Sequence, residues 1–448
     1  MNNSNKLGLF DLTIIAISFV VGMGIFKTPA NVAAKAGTEV IFYSAWLLGG
    51  FIALLGAFIF AEIGKRLPVT GAYYKVFSYA YSPVVGFTIN ALIIVSNAAS
   101  LAVITLIGAE YASNLLFGQN IGIVFNTTFA IVSVAIFYIV NMMGLKTTSR
   151  TQNVLMILKI ALVILLILAA FTDTTVAAKG YTSEPVRTFT GDNGLILLVL
   201  SMVAVSFTYG GYQQTVNFGA EIDNPRHLQK AITMGMIIII MLYLAVNFAY
   251  IKVITFDGMK NATSIGSLLF EALFGPWGAR IFDLAMFVSV LAYVNIVLMS
   301  NPRVMFAMAE DKVLPKFFSR QNPRTGAFVS GLTVFSVLTI AATFIGKGVD
   351  NILGFTMFLD SFGFITAAFA LLILRRKKFN QHLVGGKLTH LMTLFCILFI
   401  FGYLIVVTAV IIDNWIAAAL GVLLLLLFVA VYYLFIHRHL QTKTDEHA

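Results

Sequence analysis

Gly22-Met23-Gly24-Ile25-Phe26 interrupts the first long apolar segment of this chain, and Gly210-Gly211 interrupts the sixth in the same way. Glycine breaks in a helix that lies in lipid are costly unless the freed backbone groups line a cavity. One such break in each half of a chain is typical of secondary transporters, whose substrate site lies between two unwound helices. The two breaks therefore indicate both the fold and the position of the site.

The composition requires a lipid environment. The chain has 448 residues, of which 59% are hydrophobic and only 11% are charged, and its mean hydropathy is +0.93. A water-soluble protein of this length cannot bury so much apolar surface. Apolar runs of about 20 residues recur along the whole length, and each is long enough to cross about 30 Å of hydrocarbon. We therefore predict an all-α integral membrane protein that forms a single transmembrane domain.

We count twelve apolar runs and predict one transmembrane helix for each. They cover residues 11–36, 40–65, 84–116, 121–142, 150–171, 194–218, 229–252, 278–309, 328–346, 351–374, 390–411 and 414–436. The two broken runs are five spans apart, and an odd offset places the second copy upside down in the membrane. The expected organisation is therefore a five-plus-five inverted repeat, 11–171 and 194–374, in which helices 1 and 6 are discontinuous. Two extra helices follow at 390–436.

The basic residues are unevenly distributed between the two sides of this domain. The net charge of +10 first suggests nucleic acid, but the positive residues lie in short loops between apolar runs, so we exclude that partner. Loops on one side carry 20 Lys and Arg residues and loops on the other carry 7, which with Lys27 and Lys159 inside spans accounts for all 29. The positive-inside rule assigns the richer side to the cytoplasm. Both termini, residues 1–10 and 437–448, are therefore expected inside a multi-pass protein of the cell membrane, the inner membrane of a prokaryote.

The first break offers backbone groups to a small zwitterion. Gly22 lies about eleven residues into its span, which at about 1.5 Å per residue is near the middle of the bilayer. Amides at the start of the second half-helix, with the positive end of its dipole, suit a carboxylate. Carbonyls that end the first half-helix suit an ammonium group, and an α-amino acid carries both. Close helix packing through small residues is the alternative explanation.

The second break is richer in polar and aromatic residues. It reads Phe207-Thr208-Tyr209-Gly210-Gly211-Tyr212-Gln213-Gln214. Glycines, aromatics and two amides within one apolar run are poorly explained by packing alone. We expect carbonyls freed at Gly210 to face an amine, the Phe207 ring to close over the site, and Thr208 to line the path.

These motifs carry a resemblance that spans most of the chain. The chain resembles the amino acid–polyamine–organocation (APC) superfamily, and within it the bacterial amino acid permeases and the L-type amino acid transporters. The matching motifs are Gly22 to Phe26 with Pro29; Ala61-Glu62-Ile63-Gly64 followed by Pro68, Gly71 and Tyr73-Tyr74; Phe207 to Tyr212 followed by Glu221 and Asn224-Pro225; and Asn295, Ser300, Arg303, Ala309-Glu310-Asp311 and Leu314-Pro315. Their order along the chain makes the resemblance strong, and it implies twelve helices with two inverted five-helix repeats.

The resemblance also implies roles for individual positions. The substrate carboxylate would be bound by Gly22, Met23 and Gly24, and the amine by carbonyls of Phe207 and Gly210, with the Phe207 ring as an outer gate. Two departures from the family pattern bear on substrate identity. Many relatives have serine where Met23 stands, so here only the backbone binds the carboxylate, which favours an apolar or flexible substrate side chain. Relatives often have tryptophan where Tyr212 stands, and we assign Tyr212 to the gate.

Lys159 lies about ten residues into the fifth span, near the bilayer centre. A lysine there costs several kcal/mol unless it is neutral, hydrated or paired, so we expect it to have a function. In sodium-independent relatives, the resemblance implies that a lysine at this position replaces a sodium ion and braces helices one and eight. Bracing and proton carrying both remain open for Lys159.

Two acidic residues are also of interest. Asp360 lies about ten residues into the tenth span, where it would pair with a cationic group, carry a proton or accept hydrogen bonds from another helix. Glu62 is expected to interact with Lys65 and Arg66 at the cytoplasmic gate.

We therefore predict a secondary active transporter of L-amino acids that works by alternating access, independently of sodium, by exchange or proton coupling, with a preference for neutral substrates. The alternative is a cationic amino acid or polyamine exchanger, which Asp360 would favour if it faces the site. An enzyme is disfavoured, because all six histidines fall at the cytoplasmic side or in the tail and no set has metal-ligand spacing. No metal or cofactor is expected, and a channel is disfavoured because no filter-like repeat is present. The expected partners are the amino acid and the lipid bilayer.

Overall fold

The computed structural model describes residues 6–171, 193–260, 262, 265–344, 349–384 and 390–437. Three segments lie outside this part of the chain: most of the connection between the fifth and sixth predicted spans, residues 172–193; the tail after residue 437; and the first five residues. Six of the basic loop residues counted above lie outside it as well: Lys179, Arg187, Lys347, Lys387, Arg438 and Lys443.

The described residues fold into helices, and they form no β-strand beyond two isolated bridges, Leu7 with Ile222 and Thr70 with Phe218. The predicted all-α class is confirmed. The α-helices are α1 (Leu9–Val20), α2 (Gly24–Ala36), α3 (Glu39–Arg66), α4 (Ala72–Ala80), α5 (Pro83–Phe117), α6 (Ile123–Met142), α7 (Leu145–Leu168), α8 (Gly194–Tyr209), α9 (Pro225–Ile254), α10 (Phe256–Lys260), α11 (Ile265–Phe274), α12 (Gly278–Glu310), α13 (Val329–Thr343), α14 (Val349–Arg376), α15 (Met392–Asp413) and α16 (Trp415–Val431).

Ten helical spans in the described residues are long and apolar enough to cross a membrane, and the bent pair α1 and α2 adds an eleventh. The remaining predicted span, 328–346, corresponds to α13, which has only 15 residues. The end of that predicted span lies outside the described residues, so the twelfth crossing and the inverted repeat stay predictions.

Helix boundaries follow local capping chemistry. The Thr38 side chain accepts a hydrogen bond from the Ile41 amide at the start of α3, and Asn224 does the same for Arg226 at the start of α9. Asn414 separates α15 from α16 and caps the latter through the Ala417 amide at 3.0 Å. Short polar side chains stabilise helix starts because they satisfy amides that have no partner inside the helix.

Both predicted breaks are present. α1 ends at Val20 and α2 begins at Gly24, with a bend of 40° between them. α8 ends at Tyr209, and the chain continues after Gly211 as a 3₁₀ helix, Tyr212–Asn217, instead of an α-helix. Gly211 has φ +110°, and a side chain there would collide with the Phe19 backbone. The two broken spans therefore touch through their main chains.

The broken spans lie at the centre of the helix packing. α1 packs on α9, α2 packs on α8, and α3 packs on both α8 and α9. α12 packs on α5, α7 and α13 on the other side, and α14 packs on α5 and α15. This arrangement places the two breaks opposite a wall formed by α5, α12 and α14.

Candidate functional site

A cavity of about 380 Å³ lies between the two breaks and the wall formed by α5, α12 and α14. All six residues predicted to bind substrate line it: Gly22, Met23, Gly24, Phe207, Thr208 and Gly210. Residues almost two hundred positions apart in the chain are thus brought to one surface, although their contact with a substrate remains a prediction.

Free amides face the cavity at the first break. Among the described residues, the amides of Met23 and Gly24 have no hydrogen-bond acceptor, and both residues line the cavity, whereas Phe26 donates to the Met23 carbonyl at 3.1 Å. These amides stand at the N-terminus of α2, where the helix dipole is positive. A Cβ atom on Gly24 would lie 3.0 Å from Cγ2 of Thr208, so glycine allows α2 and α8 to approach closely. This end of the cavity suits an anion.

The carbonyls that end α1 are already occupied. The Val20 carbonyl accepts a hydrogen bond from the Tyr243 hydroxyl at 2.9 Å and from the Gly22 amide at 2.7 Å. The Val21 carbonyl accepts a hydrogen bond from the Lys159 ammonium. The expectation that carbonyls ending the first half-helix are available to a substrate amine is therefore not met at these two positions.

The second break presents its carbonyls from the end of α8. The Gly210 amide donates to the Phe207 carbonyl at 3.2 Å, and the Gly211 amide donates to the Gln213 side chain at 2.9 Å. The Gly210 carbonyl accepts no hydrogen bond from a described residue. The Thr208 hydroxyl donates to the Ala204 carbonyl at 2.8 Å, so it is used within its own helix. The C-terminal end of α8, where the dipole is negative, suits a cation.

Tyr243 is a structural link that sequence reasoning missed. Its side chain is fully buried on α9, and its hydroxyl lies 2.9 Å from the Val20 carbonyl and 3.2 Å from the Thr208 carbonyl. It therefore contacts both breaks at once. The only sequence signal was a tyrosine in the middle of an apolar span, where its hydroxyl needs a partner.

Lys159 lies behind the first break and does not line the cavity. It is fully buried on α7, which packs on both α1 and α12, and its hydrogen bond is to Val21. This position agrees with bracing of helix one. Among the described residues, Lys159 makes no hydrogen bond to α12, the predicted helix eight.

Asp360 lines the cavity from α14. The other acid in the lining, Asp413, is paired with Lys35 at 2.8 Å, but Asp360 has no ion pair or hydrogen bond to a described residue. Three tyrosines, Tyr73, Tyr293 and Tyr403, lie near its carboxylate. The carboxylate is therefore available to a cation or a donor in the cavity.

The wall around Asp360 is polar. Asn97 on α5 donates to Asn301 on α12 at 2.9 Å, and Ser100 lies 3.3 Å from the Thr356 hydroxyl on α14. All four residues line the cavity. The part of the cavity that faces away from the breaks thus offers side-chain hydrogen bonds.

The two predicted gate residues occupy different places. Phe207 lines the cavity, whereas Tyr212 is buried outside it and stacks on Phe364 with ring centroids 6.1 Å apart. Phe364 does line the cavity, so Tyr212 packs behind a residue of the cavity wall.

Buried ion pairs close the side predicted to face the cytoplasm. Arg303 pairs with Glu221 at 2.7 Å and lies over the rings of Phe218 and Phe328, at 4.5 and 5.3 Å. In a second ion pair, the Lys75 ammonium lies 2.6 Å from the carboxylate of Asp311, which directly follows α12.

Glu62 takes part in the same closure, with Arg66 as expected but with Arg375 in place of Lys65. It pairs with Arg66 and with Arg375, each at 2.8 Å, and not with Lys65. Arg375 comes from the end of α14, which is 313 residues away in the chain. At its other end, the cavity reaches the exposed Lys27 and Asp413, so it opens towards the predicted outside.

In the described part of the chain, no group of three or more His, Cys, Asp or Glu side chains could hold a metal ion.

Comparison with known proteins identifies the family. The family described as Amino acid permease matches residues 7–429. The serine/threonine exchanger SteT of Bacillus subtilis (strain 168) is 28% identical over 439 residues, covering 95% of both chains. Two further relatives from that organism are each 26% identical: the branched-chain amino acid permease BcaP, covering 71% of this chain and 70% of its own, and the aspartate-proton symporter, covering 76% and 67%.

The family match covers most of the chain, and these relatives are transporters. Together with the ten or eleven apolar helices, they identify a multi-pass membrane protein that transports amino acids and is not an enzyme. The chain therefore belongs to the amino acid permease family of the APC superfamily.

Proposed function

We propose that this protein is a secondary active transporter that moves neutral L-amino acids by alternating access, without sodium. The observation that carries the proposal is the polarity of the two breaks. Free amides at the N-terminus of α2 and the free Gly210 carbonyl at the C-terminus of α8 face one cavity. The opposite dipole ends complement the carboxylate and ammonium groups of an α-amino acid.

Lys159 supports the sodium-independent mechanism. Its ammonium donates a hydrogen bond to the Val21 carbonyl beside the break, and this carbonyl would otherwise need another donor. Exchange and proton coupling are both consistent with the site, and the relatives include an exchanger and a proton symporter. Phe207 is proposed as the outer gate and Tyr212 as its counterpart on the closed side.

A second function, transport of cationic amino acids or polyamines, is favoured by Asp360. A carboxylate without an ion-pair partner in a cavity is stabilised by a cation. The polar residues around it, Asn97 and Thr356 among them, also suit a substrate side chain with hydrogen-bond donors. Met23 has no hydroxyl and lies at the end of the cavity that is proposed to bind the carboxylate. It therefore supports the preference for neutral substrates, but it gives no information about the end of the cavity near Asp360.

The membrane arrangement is part of the proposal. We infer twelve crossings, with repeats at 11–171 and 194–374 and both termini in the cytoplasm of a cell membrane. The two broken spans are five predicted spans apart, and this odd offset supports an inverted repeat.

A ligand screen on the purified protein tests the function. We expect several neutral L-amino acids, and not their D-forms, to raise the melting temperature, because a ligand at a hundredfold excess over its Kd stabilises by about 3 kcal/mol. Uptake of each hit into proteoliposomes should saturate and should persist when choline replaces sodium. Stabilisation by polyamines or arginine alone would favour the second function, and strict sodium dependence would contradict the proposed coupling.

A further inference from the structure

A second cavity, of about 600 Å³, lies where α3 and α14 end, on the side that the positive-inside rule assigns to the cytoplasm. It shares no lining residue with the substrate cavity. Its lining residues are Arg66, Phe369, Leu372, Ile373, Arg375, Arg376, Gln381, Val384 and Thr393.

One wall of this cavity is apolar and continues onto an exposed apolar surface of the helices. Phe369, Leu372 and Ile373 form the wall, and Phe369 is 46% exposed. The neighbouring helix α15 carries exposed Leu394 and Ile397 on the same side of the chain's membrane-crossing region. An acyl chain lying in the outer part of this wall would remain in contact with the surrounding lipid.

The opposite end of the cavity is positively charged. Arg66 and Arg375 share a single carboxylate, Glu62, so three arginines with one acid leave two positive charges. Arg66 also donates to the Phe379 carbonyl, which lies just beyond the end of α14. Arg376 is exposed and makes no hydrogen bond or ion pair to a described residue. The contacts to Phe379 and Glu62 therefore account for Arg66, whereas no contact with a described residue accounts for Arg376.

We propose that this cavity binds an anionic phospholipid of the cytoplasmic leaflet. The phosphate lies at Arg376 beside the Arg66 and Arg375 pair, and one acyl chain lies along Phe369 and Leu372. Arginine suits phosphate because its planar donors bind two oxygens at once. Basic pockets between transmembrane helices at the cytoplasmic side are suited to anionic headgroups. A free phosphate would leave the apolar wall without an occupant, so the charge and the wall together favour a lipid.

Lipid retention in the purified protein tests this proposal. The protein is placed in nanodiscs that contain phosphatidylcholine with or without phosphatidylglycerol, and bound lipid is counted by native mass spectrometry after release. We expect one retained phosphatidylglycerol per protein and no retained phosphatidylcholine. Arg376→Ala should weaken retention about fivefold, the equivalent of about 1 kcal/mol for one basic residue. Arg320→Ala removes an exposed arginine of another cytoplasmic loop and serves as the matched control.

A second variant distinguishes binding of the lipid headgroup from binding of the acyl chain. Leu372→Trp fills the apolar wall without changing the charge, and it should also lower phosphatidylglycerol retention. Equal retention by the wild-type protein and both variants would overturn the proposal. It would also be overturned if soluble glycerol phosphate competed as well as the lipid, because the site would then hold free phosphate. Amino acid uptake is measured on each variant to confirm that the protein is folded, and this proposal does not depend on which amino acid is carried.

Discussion

The Lys159 ammonium donates a hydrogen bond to the Val21 carbonyl, which is freed where the first span breaks. A side chain from one helix thus supplies a hydrogen bond to a free backbone carbonyl of another helix, behind the candidate substrate cavity. Lys159→Met removes this donor while keeping most of the volume, and it leaves a buried carbonyl unsatisfied at a cost of about 1–3 kcal/mol. We expect the maximal uptake rate to fall at least about tenfold, since each 1.4 kcal/mol changes an equilibrium about tenfold.

Uptake by Lys159→Met should be compared with that of Lys230→Ala, which removes an exposed lysine near the start of α9. A maximal rate equal to that of the wild type would make Lys159 incidental to transport.

Gly24→Leu should abolish transport while the protein still inserts normally. A Cβ atom at this position would already lie 3.0 Å from Thr208, and the longer side chain would fill the space in front of the α2 amides. Uptake and membrane yield are measured together. Gly8→Ala is the control, because no atom lies within 4 Å of a Cβ atom at Gly8. Full activity of Gly24→Leu would remove the assignment of the carboxylate site.

Tyr243→Phe removes one hydroxyl that lies between the Val20 and Thr208 carbonyls. We expect a loss of about 0.5–1.5 kcal/mol of stability, which is typical of one hydrogen bond. Weaker substrate binding should accompany it, because the two breaks lose their shared donor. The melting temperature and the uptake KM are the measurements, and Tyr433→Phe, at a position that is 52% exposed, is the control. If neither quantity changes, Tyr243 does not position the breaks.

Asp360→Asn keeps the shape of the side chain and removes its charge. We expect the uptake of lysine or arginine relative to leucine to fall roughly tenfold or more, as for the loss of one charge-assisted hydrogen bond of about 1.5–3 kcal/mol. The ratio of uptake rates is the measurement, because it is independent of the amount of protein. An unchanged ratio would show that Asp360 does not contact the substrate side chain, and it would remove the support for the second function.

Replacing only one residue of the buried ion pair between Arg303 and Glu221 should strongly lower the free energy of unfolding. Arg303→Met leaves an uncompensated carboxylate, at a cost of about 3–5 kcal/mol for a buried pair. Adding Glu221→Gln should recover part of that loss, since the second charge is removed. Unfolding of the two single variants and the double variant measures the coupling. Strictly additive effects would mean that the pair does not stabilise the closed side that is predicted to face the cytoplasm.

Much of this structure could be predicted from the sequence, because the strongest signals are local. The glycine pairs at 22–24 and 210–211 predicted both breaks, and the apolar runs predicted the spans to within a few residues. The predictions failed where the answer depends on contacts between distant helices. Arg375 replaces Lys65 as a partner of Glu62 across 313 residues, and no local pattern encodes that pairing.

Contacts between distant helices also explain why the carbonyls of the first break were assigned wrongly. Sequence reasoning assigned them to a substrate amine, since a broken helix frees them. Lys159 and Tyr243 reach them from α7 and α9, and only the packing of those helices shows which carbonyls remain free.

The contact between Gly211 and the Phe19 backbone has a consequence for protein engineering. The two main chains are in direct contact at this point, and no side chain lies between them that could adjust to a different distance. The backbone geometry of each broken span therefore has to fit that of the other. A chimera that takes its first span from one permease and its sixth from another would inherit a mismatch at this junction. Substrate preferences should therefore transfer between relatives only when both spans are exchanged together.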